Sequence, residues 1–478
     1  MEFSIERSGN TATVLIKDAF LGENAKGLLA AIEELGTIDL LIMDFSQSNY
    51  INSSGISALI EIYKQTRARK YMVRLTGLSR EIRDFFFHAR LDEFFAIEDE
   101  LEGLGIEQYV ELLQDDEKRD LAIDKLVEMD DAAVLPMRNA IHSENELIRS
   151  GAITVLGKLD DSYMASRFSD ILLHDESSFV RQAAAYALGF LLDDQTVPAL
   201  ISALEDNFSE VAEAAAASLS IFGSDEVREQ LTGKLFHENP RVRGVAAQAL
   251  GMISDKRVHK SLESLVGDAD PWVRVCAVQA LGWMRSHPSV TVLIEALGDN
   301  DMRVREAAAS SLGRIKSPDS IEPLGKSLFD ENMWVAYFAA KALGQIGDKH
   351  AIAPLMHAYK TTSHENIKIA VLYALRELTA VEASEVYLDA FRSRNEDLRK
   401  EALMCLGKVF HQDLPAILRK ALKDINWTVR YAALEIITLH QLRDMEEDLK
   451  LCLANESEDI VRNQIAKALT HLARRSQP

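Results

Sequence analysis

Two patterns of apolar and polar positions divide the chain. Over the first hundred residues, strand-like and helix-like stretches alternate. Phe3 to Arg7 and Thr11 to Lys17 read as strands, and Glu23 to Leu35 carries Ala, Leu and Ile at helical spacing. Asp39 to Phe45 (DLLIMDF) is a short continuous apolar run, as expected of a buried strand. Ser53 to Gln65 is helical in pattern, Tyr71 to Leu75 is strand-like, and Ser79 to Arg90 is helical again. Strands alternating with helices predict an α/β layer in which helices cover a sheet.

Beyond about residue 115 the strand signal ends and the chain repeats itself. The phrase VRxAAxxALG begins at Ile148, Val180, Val211, Val242, Val273, Val304, Val335, Ile367, Leu398, Val429 and Val461, every 31 or 32 residues. A weaker copy lies at Lys118 to Leu126. Each unit pairs a first apolar stretch, such as Val197 to Leu204, with the VRxAA stretch, and both have helical spacing. Gly157, Gly189, Gly251, Gly282, Gly313, Gly344 and Gly407 close most second helices and are expected to be left-handed helix stops. One helix pair cannot bury its apolar face alone, so the pairs are expected to stack into a solenoid with a continuous core.

The repeat phrase resembles the HEAT repeats of the short type found in bilin-lyase-related proteins. The first hundred residues resemble the STAS domain of anti-sigma-factor antagonists. The matching residues are Leu41-Ile-Met-Asp-Phe-Ser and Tyr50-Ile-Asn-Ser-Ser-Gly-Ile-Ser. The expected organisation is an α/β STAS-like domain over 1–100, a junction over 101–116, and an all-α HEAT solenoid of about 11–12 units over 117–474.

Composition narrows the function. The chain has 478 residues, 53 Lys plus Arg against 75 Asp plus Glu, and a formal charge of −22. A surface so acidic repels phosphate backbones and anionic membranes, so neither nucleic acid nor membrane binding is expected. Cys276, Cys405 and Cys452 are far apart and form no CxxC, which fits small buried residues in a reducing cytoplasm. No basic-then-apolar leader opens the chain, and the longest apolar runs, such as Ala183 to Leu192, are too short to span a bilayer. A cytoplasmic protein is expected.

Two candidate sites emerge. The first is the turn Asn52-Ser53-Ser54-Gly55, where a strand hands over to a helix. Ser at this place caps a helix with its hydroxyl. The STAS resemblance implies more: the serine after the motif's Asp is phosphorylated in that family, and Ser53 occupies its position. The family's Asp is Asn52 here, so one negative charge is missing. A phosphate at Ser53 would add about −1.5 to −2 charge to a docking face. Nearby, Phe85, Phe86 and Phe87 point around the Ser79 to Arg90 helix, so at least one packs on the sheet and another is expected at the junction between domains.

The second candidate is a stripe on the second helices. The residue before Val, and those two and six after it, share one helix face away from the alanine–leucine core. Phe179, Trp272 and Trp334 occupy the same column, and Tyr186, Tyr337, Tyr373 and Tyr431 share its face. In HEAT proteins the second helices line the concave side, so this stripe is expected to grip a protein or peptide. The Arg of VRxAA, present in eight of eleven copies with one Lys and two Ala, is expected instead to form an internal ladder with carboxylates and helix-end carbonyls.

No phosphate loop, HExxH or GxSxG motif is present. His237-Glu238 and His364-Glu365 are out of register with the metal-binding pairs of HEAT-repeat hydroxylases. No enzyme activity, metal or cofactor is expected. The reading is a bacterial-type signalling scaffold. Its STAS module docks a serine kinase or an anti-sigma factor of the histidine-kinase ATPase fold, and its solenoid holds a second protein. The alternatives are a constitutive adaptor in a motility or chemosensory assembly and a lyase or hydroxylase built on the repeats.

Overall fold

A computed structural model describes residues 3–17, 20, 25–36, 38–48, 50–51, 53–68, 71–79, 82–83, 86, 91, 95–97 and 103–474. The chain divides into two compact units, Met1–Gln108 and Tyr109–Pro478. The division falls inside the expected junction, where Ile106–Leu112 forms a helix.

The first unit is built on a five-stranded sheet. Strands β1 (Phe3–Ser8), β2 (Thr11–Lys17), β3 (Leu40–Gln47), β4 (Met72–Thr76) and β5 (Ala96–Ile97) lie side by side in that order. A two-residue turn makes β1 antiparallel to β2, with Gly9 at φ 60°. The other pairs are parallel, which requires crossovers. Helix α1 (Ala25–Glu34) makes the first and α2 (Ser53–Ala68) the second. Ala12, Val14 and Ile16 on β2, and Leu41, Met43 and Phe45 on β3, meet Leu28 and Ile32 of α1 and Leu59 and Ile62 of α2 in one core. Only alternate residues of DLLIMDF are fully buried. Its second sheet face is half-covered, so the run is a one-sided strand after all. Phe86 is buried in this core with its ring 6.1 Å from that of Phe95. Phe85 and Phe87 lie outside the described residues.

The second unit is a stack of helix pairs, and from Asp131 onward each has a shorter first helix and a second helix of 13 to 16 residues. The weak copy near Lys118 is the helix Arg119–Glu128. Polar caps start the second helices: Asn239, Asp270, Asp301, Asn332 and Asn426 each accept the backbone N–H two residues on. The leading Val, the alanines and the leucine before Gly are buried.

The repeated glycines differ from expectation. Gly157, Gly189, Gly251, Gly282, Gly313, Gly344 and Gly407 lie inside their helices and none has a positive φ. The helices run on to a stop two or three residues later, at Leu192, Ser254 and Lys316 for example, where the left-handed turn occurs without glycine. What requires glycine is the next unit. A Cβ at Gly157 would sit 2.8 Å from the Ala187 Cβ, at Gly251 2.7 Å from the Ala280 Cα, and at Gly344 2.8 Å from the Ala374 Cα. The missing side chain lets neighbouring second helices approach until backbones touch. Among the described residues, Gly223 and Gly347 are the glycines that serve as left-handed stops of second helices.

The Arg ladder forms, with a direction. Arg149, Arg181, Arg243, Arg274, Arg305 and Arg399 each grip the aspartate of the following unit: Asp175, Asp206, Asp268, Asp299, Asp330 and Asp424. Arg430 grips Glu456 in the same way. The remaining guanidinium nitrogen of each donates to two carbonyls five and six residues back in its own unit, as Arg181 does to Asp175 and Glu176. Burial pushes the Asp206, Asp268, Asp299 and Asp424 carboxyls up. The guanidinium and a backbone N–H outweigh it and hold them below the usual range.

Candidate functional site

The turn after β3 is positioned by two close approaches. Phe20 N–H donates to the Tyr50 carbonyl at 2.8 Å, and Phe20 bridges Ile51. Helix α2 starts at Ser53, and a Cβ at Gly55 would collide with the Phe20 carbonyl oxygen. Glycine is therefore needed here for packing of the helix start against the Phe20 segment. Asp44, in the second half of β3, accepts the Ser46 N–H at 2.8 Å, and Gly77 after β4 leaves room beside it. Tyr50 is 55 % exposed next to the turn. Asn52 lies outside the described residues. Ser53 and Ser54 are the first two residues of α2, at the end where unsatisfied N–H groups favour an anion. The first turn of α2 carries no acidic residue.

On the second helices the expected stripe faces outward. Phe179 is 59 %, Trp334 51 %, Tyr186 45 % and Tyr373 43 % exposed, while Trp272, Tyr337 and Tyr431 are half-buried. Trp334 and Tyr337 stack edge to face at 6.0 Å, and the Arg376 guanidinium lies 5.0 Å over the Tyr373 ring. Two rings of the stripe escaped the sequence pattern: Phe190 and Trp283, one helical turn beyond the sampled positions, are exposed too. Extending the same three-and-four spacing to the tenth residue after Val finds both. Glu306 lies in the stripe, and burial pushes its carboxyl up.

Not every member is free. The Trp272 indole lies against Gly244 of the preceding unit, where a Cβ would collide with it. Trp272 is therefore a packing residue that also shows an edge to solvent. Arg241 reaches back to the carbonyls of Asp206 and Asn207, the latter at 2.8 Å.

Among the described residues, no cluster of three His, Cys, Asp or Glu side chains is placed to hold a metal. His237 Nδ1 accepts the Asn239 N–H in a turn, and His364 is a helix cap residue. Cys276 and Cys405 are buried, which pushes the Cys276 thiol up to about 12, far from a reactive thiolate. No helix among the described residues is long and apolar enough to cross a membrane.

Comparison with known proteins agrees with both halves. The family model for HEAT repeats matches residues 106–189, 165–236, 229–313, 290–376 and 384–470. That for the STAS domain matches residues 3–104. No curated protein matches the chain. Among solved structures, importin beta shares 13 % identity at a TM-score of 0.56, over 77 % of this chain and 61 % of its own. The chain thus spans about three-fifths of that relative's length. Kap95p, solved with RanGDP, shares 12 % identity at a TM-score of 0.57, over 88 % of this chain and 67 % of its own. These likenesses establish the fold.

Proposed function

Since the chain belongs to the HEAT-repeat family and its N-terminal unit is a STAS domain, we propose that it is a scaffold joining two protein partners, one at each module. The observation that carries this reading is the row of outward-facing rings on the second helices, Phe179, Tyr186, Trp334 and Tyr373. The second helices are also the more closely packed row, joined by glycine-to-alanine contacts, whereas the first helices meet less closely. The more closely spaced row of a curved stack lies on its inner side, so the rings line a concave surface. Large rings with a polar edge are the usual anchors of such interfaces. A solenoid of this fold, Kap95p, binds RanGDP.

The STAS module supplies the regulatory half. A partner docks around Asn52, Ser53, Ser54 and Gly55, and phosphate on Ser53 expels it by adding charge at the start of α2. The partner is a serine kinase or anti-sigma factor, and the setting is bacterial cytoplasmic signalling. Two tethered modules raise the effective concentration of one partner near the other, to about millimolar for a short linker. The protein itself is not an enzyme and needs no cofactor. Asn52, in place of the acid of the family's motif, favours a second reading: a constitutive adaptor whose Ser53 is only a helix start. Affinity capture with wild type, Ser53→Asp and Trp334→Ala separates the readings. Loss of one partner set with Ser53→Asp and of another with Trp334→Ala supports the switch and scaffold. Identical partners for all three baits would overturn both proposed sites.

A further inference from the structure

Among the described residues, five neighbouring pairs of second helices are joined by two repeating contacts. One is the Arg–carboxylate rung near the helix starts. The other is the glycine nine residues after the leading Val, which meets a small residue of the next unit. At the junction of Ser209–Phe222 with Pro240–Ile253 both are absent. Ala212 replaces the arginine, and His237 stands where its aspartate would be. Ser220 replaces the glycine and turns its hydroxyl to Ala217 of its own helix. The two helices also pack less closely than those on either side.

The ties that remain are all at one end. Without an arginine at 212, the carbonyls of Asp206 and Asn207 lose their usual donor. Arg241, from the following unit, takes both. Lys234 and His237 reach Glu205 beside them. Among the described residues, no side-chain hydrogen bond or ion pair joins the C-terminal halves of these two helices. The junction of Glu365–Glu377 with Glu396–Lys408 also lacks both contacts, with Lys368 and Ser393 in place of the rung and Arg376 in place of the glycine, but it keeps ties along the helices: Arg376 pairs with Glu401, and the Cys405 thiol donates to the Leu372 carbonyl. Where Ala336 replaces the arginine, Gly344 still meets Ala374.

We infer that the helical unit has a built-in hinge at this junction, pivoting on Arg241 with Asp206 and Asn207 and opening at the C-terminal ends of Ser209–Phe222 and Pro240–Ile253. Two groups of exposed rings lie on either side: Phe179, Tyr186 and Phe190 before it, and Trp283 and Trp334 after it. Opening changes the distance between them, so the hinge sets what the inner surface can hold. The inference concerns the free protein and stands whether or not the rings bind a partner.

Amide hydrogen exchange of the free, full-length protein tests it. Amides in the C-terminal halves of Ser209–Phe222 and Pro240–Ile253 are expected to exchange about tenfold faster than their equivalents in Pro271–Trp283 and Met302–Ile315. Restoring the rung with A212R/H237D slows them, and R241A speeds them further. Equal exchange at the two places in the wild type overturns the inference, even if no variant folds. A folded A212R/H237D protein with unchanged fast exchange overturns it as well.

Discussion

Arg274 donates through Nε and Nη2 to both carboxylate oxygens of Asp299 in the following unit, at 2.7 and 2.8 Å, while Nη1 donates to the Asp268 carbonyl at 2.9 Å. One side chain thus closes its own turn and ties two units together. Both side chains of the pair are about one-seventh exposed. Removing either partner leaves a largely buried charge without its complement. Arg274→Ala or Asp299→Ala is expected to cost about 2 to 3 kcal/mol. The double variant should cost less than the sum, because neither charge is then stranded. Urea unfolding of the two singles and the double measures the coupling. Additive losses would mean that the pair does not act as a unit.

The glycines give a test with opposite signs. A Cβ at Gly313 would lie 2.8 Å from the Ala342 Cα, a backbone atom that cannot turn aside. Gly313→Ala is expected to destabilise by about 1 to 3 kcal/mol through overpacking. Gly233 is exposed inside the helix Asp225–Lys234, with nothing near its missing side chain. Gly233→Ala is expected to be stabilising by about 0.5 to 1 kcal/mol, the ordinary helix preference of alanine over glycine. Thermal unfolding of both variants separates a packing role from a helix-stop role. A helix stop would make Gly313 tolerant of Asn, which also adopts left-handed turns, whereas packing makes Asn worse than Ala.

Acid should loosen the solenoid over a defined window. The Arg303 hydrogen bond, outweighing burial, holds the Asp301 carboxyl down to about 2, and Arg257 does the same for Asp255. An aspartate in an unfolded chain titrates near about 3.9. A carboxyl depressed on folding contributes stability that is complete above the unfolded value and is lost as pH falls through the folded one. The contribution of these aspartates is therefore expected to be level above about pH 5 and to fall between about pH 4 and pH 2. Asp301→Asn should flatten part of that fall. Glu306 works the other way: its raised carboxyl weakens the fold at neutral pH, so Glu306→Gln should stabilise it there. Urea midpoints at a series of pH values would show whether the two variants move in opposite directions.

Much of the architecture could be read from spacing alone. The 31- or 32-residue period located the second helices, and the positions around Val told buried from outward faces, because helical geometry fixes which residues share a side. The ladder was legible as a contact but not in its direction. Asp268 and Asp299 hold the same place in successive units, and only coordinates show that Arg274 takes the carbonyl of one and the carboxylate of the other. The glycines were misread because a helix stop and a close helix contact both select a residue without Cβ. Arg241 was unreadable as a substitute for the missing arginine at 212, since its reach crosses a unit boundary. At the STAS turn, Gly55 reads from sequence as part of the turn, but it lies inside α2, and the Phe20 carbonyl that requires a glycine there is 35 residues away in sequence.

Trp272 and Trp334 occupy one column of the repeat and are expected to behave differently. The Trp272 indole covers Gly244, and its removal opens a gap between two units. Trp272→Ala should cost about 2 to 4 kcal/mol, a reduced form of the loss seen on truncating a fully buried aromatic ring. Trp334 is half exposed, and its edge-to-face partner Tyr337 also meets the Phe338 ring at 5.5 Å. Trp334→Ala should change stability by no more than about 1 kcal/mol. Loss of partner binding by Trp334→Ala therefore reports on the interface, whereas the same loss by Trp272→Ala mixes interface with fold. Thermal unfolding of each variant comes first. If Trp334→Ala unfolds as readily as Trp272→Ala, the whole column is a packing device between units, and the inner surface must be sought through Tyr186 and Tyr373.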